Sequence, residues 1–174
     1  SRIRGGFAFP TPNDFLVQAD AAIVVYDITS GAVDGMCEAW RAIVKESDAG
    51  IFINLLLSCE AKGVRVKSYL SGEGKIDIEN ASGRNIFVRI PPWVMPKDIH
   101  LKVNDIEPAL NFIGSYLLVP GKEEVQTINI EFPMREERTV ESIAYKRYTI
   151  DWRGNQIIAM SPEAEHLPMF PPCE

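Results

Sequence analysis

The sequence predicts a mainly β protein: an antiparallel β-sandwich, jelly-roll-like in type, with one or two helices near its N-terminus. Three observations between Arg84 and Pro133 carry this. Ile86-Val88-Ile90, Leu101-Val103 and Ile128-Ile130-Phe132 alternate with polar residues at the two-residue period of a half-buried strand. Turn signals separate them, at Pro91-Pro92, Pro96-Lys97-Asp98, Asn104-Asp105 and Pro120-Gly121. The gaps are too short for an intervening helix, so successive strands are expected to be antiparallel neighbours in a sandwich or barrel.

The remaining elements follow in chain order. Ser1 to Asn13 has no period and reads as an irregular arm. Gln18 to Asp27 reads as a helix followed by a strand, with a helix running through Tyr26 as the alternative. Val33 to Glu46 predicts a helix, because Val33, Met36/Cys37, Trp40 and Ile43/Val44 recur on one stripe and Asp34 can cap its start. Ser47-Asp48-Ala49-Gly50 closes it and opens IFINLLLS, a strand apolar enough to be covered on both faces. Trp40 is then expected to anchor the helix on the sheet. Val64 to Leu70 and Lys75 to Glu79 form a hairpin about Ser71-Gly72-Glu73-Gly74, with a bulge near Ser68 to explain the slip in alternation. Val140 to Tyr145, RYTIDW and QIIAMS add two or three strands, the last two joined by a turn at Arg153-Gly154-Asn155. The organisation expected is thus an arm over 1–32, a helix plus sandwich over 33–162, and a proline-rich tail over 163–174.

The bulk numbers narrow the partners. At 174 residues the chain holds one domain, or one domain and a fragment. Its 46% hydrophobic and 24% charged residues are those of an ordinary globular protein. A net charge of −6, with Lys and Arg scattered, argues against nucleic acid, whose phosphates need a clustered basic surface. The longest apolar run, Ile51 to Leu57, is broken by Asn54 and is far short of the roughly 20 residues of a membrane helix, so no span is expected. The first residue is Ser, and no basic, apolar, small order of a signal peptide follows it.

Few residues suggest chemistry. Cys37, Cys59 and Cys173 are odd in number and without CxxC spacing, which points to buried free thiols rather than disulfides or a zinc site. Glu123-Glu124 and Glu136-Glu137 adjoin turns and are expected to face solvent, so no catalytic carboxylate pair is identified. His100 lies in a strand and His166 in the tail, without triad partners at recognisable spacing. Asn80-Ala81-Ser82 has the form of a glycosylation sequon, a triplet common by chance. Trp93 and Trp152 are the candidates for sugar stacking, since an aromatic face suits the C–H face of a sugar ring. Trp93, after its double proline, also reads as a lid closing one end of a sandwich.

The order RIPPWV, KVND, GSYLLVPG, INIEFPM and then YTIDWRGNQIIAMSP resembles the sandwich that follows the helical barrel in β-L-arabinofuranosidase-type bacterial glycoside hydrolases, formerly a domain of unknown function. DGMCEAWRAIV and INLLLS resemble the last barrel helix and the first sandwich strand, so the likeness spans roughly Asp27 to the C-terminus. Asp105 stands where that family usually has Gly. The resemblance implies a non-catalytic module supporting a helical barrel and contacting glycan. Its partners would be that barrel or, to cover an apolar helix face, a second copy of the chain. It also implies a zinc-bound cysteine nucleophile from an adjacent Cys-Cys pair before the helix. Here that segment reads Asp27-Ile28-Thr29-Ser30-Gly31-Ala32, so neither catalytic residue nor zinc is expected of this chain. The rival readings are an independent carbohydrate- or protein-binding module and, less well supported, a hydrolase in its own right.

Overall fold

The computed structural model describes residues 26–143 and 146–162. The expectations for the arm as far as residue 25 and for the tail with His166 and Cys173 lie outside them; Tyr26 and Asp27, read as the end of a strand, lie in a helix instead, and so does the rest of the arm to Ala32. The described residues fall in two units, one holding the helix as far as Trp40 and the other running from Arg41 to Pro162.

Helix α1 spans Tyr26–Ala42. It starts earlier than the predicted Val33 and stops four residues before Glu46. Val44–Ser47 is strand β1, paired antiparallel with β2, Gly50–Ile53, through a tight turn in which Ala49 N–H donates to Ser47 Oγ at 3.2 Å. The correction has a packing cause: Ile43 and Val44, which complete the helical stripe in sequence, are buried in the sandwich core instead. Trp40 is not a core anchor either. It is 67% exposed, with Met36 at 58% and Val33 at 44%.

Two five-stranded sheets make the sandwich. The first orders β1, β2, β6 (Ile86–Arg89), β9 (Tyr116–Val119) and β8 (Phe112–Ile113). The second orders β3 (Cys59–Ala61), β4 (Val64–Ser68), β5 (Lys75–Asn80), β10 (Gln126–Glu131) and β7 (His100–Val103). Alternation decides which residues meet. Ile51, Ile53, Ile86, Val88, Leu117 and Val119 of one sheet share a single core with Val64, Val66, Ile76, Ile78, Leu101, Ile128 and Ile130 of the other. The opposite faces of β4, β5 and β10 are polar, as the sequence alternation requires. A third sheet, β11 (Glu136–Ile143), β12 (Lys146–Arg153) and β13 (Gln156–Ser161), is an antiparallel meander.

Three local expectations are corrected, and one strand is added to them. Successive strands are not always neighbours: β6 and β7 lie in different sheets, and β6 pairs parallel with β2. The prolines between β6 and β7 mark a crossing from sheet to sheet, closed by a 3-10 turn at Pro96–Asp98 and by buried Ile90, Val94 and Ile99. IFINLLLS is strand only to Ile53. Asn54 ends it by donating Nδ2–H to Ala42 O at 2.8 Å and accepting the Tyr116 hydroxyl at 2.7 Å on Oδ1, and beyond it Leu55 and Leu57 are exposed. No bulge falls at Ser68. The β4–β5 register is regular from Val64 to Ser68, and the apparent slip is the strand's end. Strand β3 was not foreseen; Lys62 and Gly63, at φ 57° and 75°, turn it into β4 as a two-residue hairpin loop does.

Asn80 and Gln126 are the buried polar residues of the described core. Asn80 Nδ2–H donates to Gln126 Oε1 at 3.1 Å and to Arg84 O at 3.0 Å, while Asn80 Oδ1 accepts Ser82 N–H at 3.0 Å and the Ser82 hydroxyl. Gln126 Nε2–H donates to Pro120 O at 3.1 Å. The sequon asparagine is therefore committed inside the fold, with its amide already bonded.

Candidate functional site

The two tryptophans flank one feature, the β12–β13 turn. Trp93 follows the β6 exit, lies edge-on to Phe132 with ring centroids 5.7 Å apart, and packs against the core. Its Nε1–H donates to Asn155 Oδ1 at 3.0 Å, so an indole from the sandwich is tied to the third sheet. Gly154, at φ 57°, makes this approach possible. A Cβ there would sit 2.9 Å from Met134 Cε and 3.1 Å from Trp93 Cζ2, in a backbone region that side chains rarely adopt. Trp152, on β12, donates Nε1–H to Thr139 Oγ1 at 3.0 Å on the neighbouring strand. Both indoles are half-buried with their N–H groups satisfied internally, which fixes the rings and leaves only their faces for a ligand.

A wider cleft lies elsewhere, of about 610 Å³, and periodicity gave no sign of it. Strand register builds it by setting Lys75, Glu131 and His100 side by side across β5, β10 and β7. Glu73, Lys97 and Asp98 rim it from the β4–β5 loop and the 3-10 turn. Gly74 is obligatory in its floor, because a Cβ there would lie 2.0 Å from Phe132 O. Lys75 Nζ sits 4.0 Å from both Asp77 Oδ1 and Glu131 Oε1. These are mixed charges in water: the Glu131 side chain is 58% exposed. A glycosidase acid needs a setting that excludes solvent, and this cleft does not supply one.

The other carboxylates are engaged at the surface. Glu123 and Glu124 are exposed. Glu136 accepts from Arg153 Nε at 3.1 Å and Glu137 lies 2.7 Å from Arg135 Nη2, on opposite faces of β11. Asp151 takes a two-pronged hydrogen bond from Arg138, Nε to Oδ1 at 2.5 Å and Nη2 to Oδ2 at 2.8 Å, which holds its carboxyl below the usual range and raises the guanidinium.

The thiols depart from the sequence reading. Cys37 is exposed on α1, not buried, because the helical stripe that carries it is open to solvent. Cys59 is half-buried on β3, and desolvation pushes its thiol up, away from the reactive thiolate. Among the described residues, no three His, Cys, Asp or Glu side chains converge as a metal would need. Among the described residues, then, no set would hold the zinc that the resemblance implies. No described helix is long and apolar enough to cross a membrane.

No protein-family model and no curated protein matches the sequence. Solved structures do match. One is a GH127 β-L-arabinofuranosidase from Geobacillus stearothermophilus T6, with a TM-score of 0.51 and 14% identity over 70% of this chain and 22% of that one. Another, described as a glycoside hydrolase, gives a TM-score of 0.58 and 16% identity over 87% of this chain and 27% of the other. This chain thus spans about a quarter of each of those proteins, and at such identities the likeness is one of fold: it has a fold found within glycoside hydrolases.

Proposed function

We propose that this chain is the β-sandwich module of a longer glycoside hydrolase of β-L-arabinofuranosidase type, supporting a catalytic helical barrel and carrying no hydrolytic site of its own. The carrying observation is the fold, shared with two glycoside hydrolases of which it covers only 22% and 27%. The surface pairing of Glu136, Glu137 and Asp151 and the wet, mixed-charge cleft support the second half of the reading. Glycan contact, where the module makes it, falls to the ring faces of Trp93 and Trp152.

The direct test is the size of the native polypeptide, probed in cell extract with an antibody raised against this chain. A band several times longer than 174 residues supports the proposal, and a band at that length overturns it. Glycan contact is read separately, from the indole Nε1–H resonances during titration with arabinofuranosyl oligosaccharides. Shifts confined to Trp93 and Trp152 support stacking; resonances unmoved at about millimolar sugar, a range that captures weak sites, remove it.

A further inference from the structure

The cleft over the polar face of β5, β10 and β7 gathers ionisable side chains that have almost no partners. Arg65 of β4 and Arg153 of β12 each meet a carboxylate at 3.1 Å. In the cleft, by contrast, Glu73, Lys97, Asp98 and His100 make no side-chain hydrogen bond or ion pair among the described residues. Lys75 has only loose contacts, with Asp77 and Glu131 at 4.0 Å and the Tyr69 ring at 5.3 Å. The register sets Glu131 between Lys75 and His100, so three of these groups stand in one row at the interstrand spacing of about 4.8 Å. The rims are fixed in advance. Glu73 N–H donates to Tyr69 O at 2.8 Å, Asp98 N–H to Met95 O at 2.9 Å, and Phe132 N–H to Gly74 O at 2.8 Å. Backbone held in place before a ligand arrives carries little ordering cost on binding.

We infer that this cleft binds a neutral oligosaccharide and holds it without cleaving it. The lining selects that class. Lys75 and Lys97 against Glu73, Asp98 and Glu131 leave no positive excess for a phosphate or a polyanion. No three acids or histidines converge among the described residues, as a metal cation would require. A hydroxyl both donates and accepts, so the vicinal hydroxyls of a sugar satisfy ammonium donors and carboxylate acceptors in one row, through the stronger, charge-assisted kind of bond. Pro133, exposed at the rim, supplies an apolar ring for the sugar's C–H face, next to Phe132, which meets Trp93 edge-on at 5.7 Å. The volume of about 610 Å³ lies within the roughly 300–1,000 Å³ of small-ligand sites. The cleft is a contact additional to the faces of Trp93 and Trp152, and it rests on the glycan half of the proposed function but not on the barrel.

The test is nitrogen-15 shift mapping of the full chain against arabinofuranosyl, xylosyl and galactosyl oligosaccharides, with inorganic phosphate as the anionic control. At least one sugar is expected to move the amides of Glu73, Lys75, Asp98, His100 and Glu131 saturably, with a midpoint of about 0.1–10 mM, the range of weak sites. Phosphate is expected to leave them in place. Glu131→Ala and Lys97→Ala, both at exposed positions, are expected to weaken that sugar roughly tenfold, the loss of one hydrogen bond to a charged group, while Glu124→Ala, exposed and outside the cleft, leaves it unchanged. Amides unmoved by every sugar overturn the inference, as does phosphate moving them at lower concentration than any sugar, or an affinity that both variants preserve. Should a variant fail to fold, the wild-type map decides alone. The indole Nε1–H resonances in the same spectra keep the two sites apart: indoles that move over silent cleft amides refute the cleft and leave the ring faces, and the opposite pattern supports the cleft and removes them.

Discussion

At the scale of the residue, exposure decides what a side chain contributes, and Trp40 shows how far sequence pattern misjudges it. Its place on an apolar helical stripe gives an expected loss of about 3–5 kcal/mol on truncation to alanine. At 67% exposure the expectation becomes a change within about 0.5 kcal/mol, read as a nearly unmoved urea midpoint. A loss of several kilocalories would show Trp40 buried in solution. The reason for the misreading is physical: helical periodicity marks an apolar face but says nothing of whether a partner covers it. Trp93 was legible by type alone, as a large aromatic after two prolines. The Asn155 amide that holds it, 62 positions later, left no local trace. Asp151 gives a second prediction at this scale. Its bond to Arg138 lowers the folded pKa below the unfolded value near 3.9, so the stabilisation is present above that value and is lost as pH falls through the folded one. Carbon-detected titration should place the Asp151 midpoint below the ordinary aspartate value, and Arg138→Ala should return it to that value.

At the scale of the element, the strands that sequence revealed are those with one face in the core and one in water. Strands β5 and β10 alternate buried with more exposed residues, and their pairing from Gln126↔Asn80 to Glu131↔Lys75 follows the same alternation. Where both faces are partly covered, or a strand is three residues long, the two-residue period disappears; β2 and β3 were lost or overextended for that reason. Strand β1 was lost because Ile43 and Val44 fit a helix and a sandwich core equally well in one dimension. The buried Asn80–Gln126 pair is the polar counterpart, joining the first residues of β10 to the last residue of β5. Asn80→Ala strands Gln126 Oε1, the Arg84 carbonyl and the Ser82 amide together, and is expected to cost roughly 2–4 kcal/mol. A Gln126→Leu partner change tests the coupling: the double variant should be destabilised by less than the sum of the singles, whereas strict additivity would show the two amides acting independently.

At the scale of the whole molecule, the sandwich is held by one core shared between two sheets, and the third sheet meets it near the β12–β13 turn. The contacts there include the Trp93–Asn155 hydrogen bond and the packing of Gly154 against Met134 and Trp93. Burial follows the same division. Core positions of β5 and β10 are 0–1% exposed, whereas most of β13 is open to water. Local opening free energy tracks buried apolar contact, so the third sheet should exchange its amides through smaller openings than the sandwich does. Trp93 is then the residue through which the two parts unfold together. Trp93→Ala removes the hydrogen bond and the indole that Gly154 packs against, but leaves the β11–β12–β13 ladder and the isoleucine core in place. Amide exchange in β12 and β13 should accelerate at least tenfold in this variant, an opening about 1.4 kcal/mol easier, with β5 and β10 slowed or quickened by much less. Asn155→Ala, which deletes only the acceptor, should move the same amides in the same direction by a smaller factor. Equal acceleration of all strands in both variants would mean that the third sheet and the sandwich open as one unit, with Trp93 acting on global stability alone.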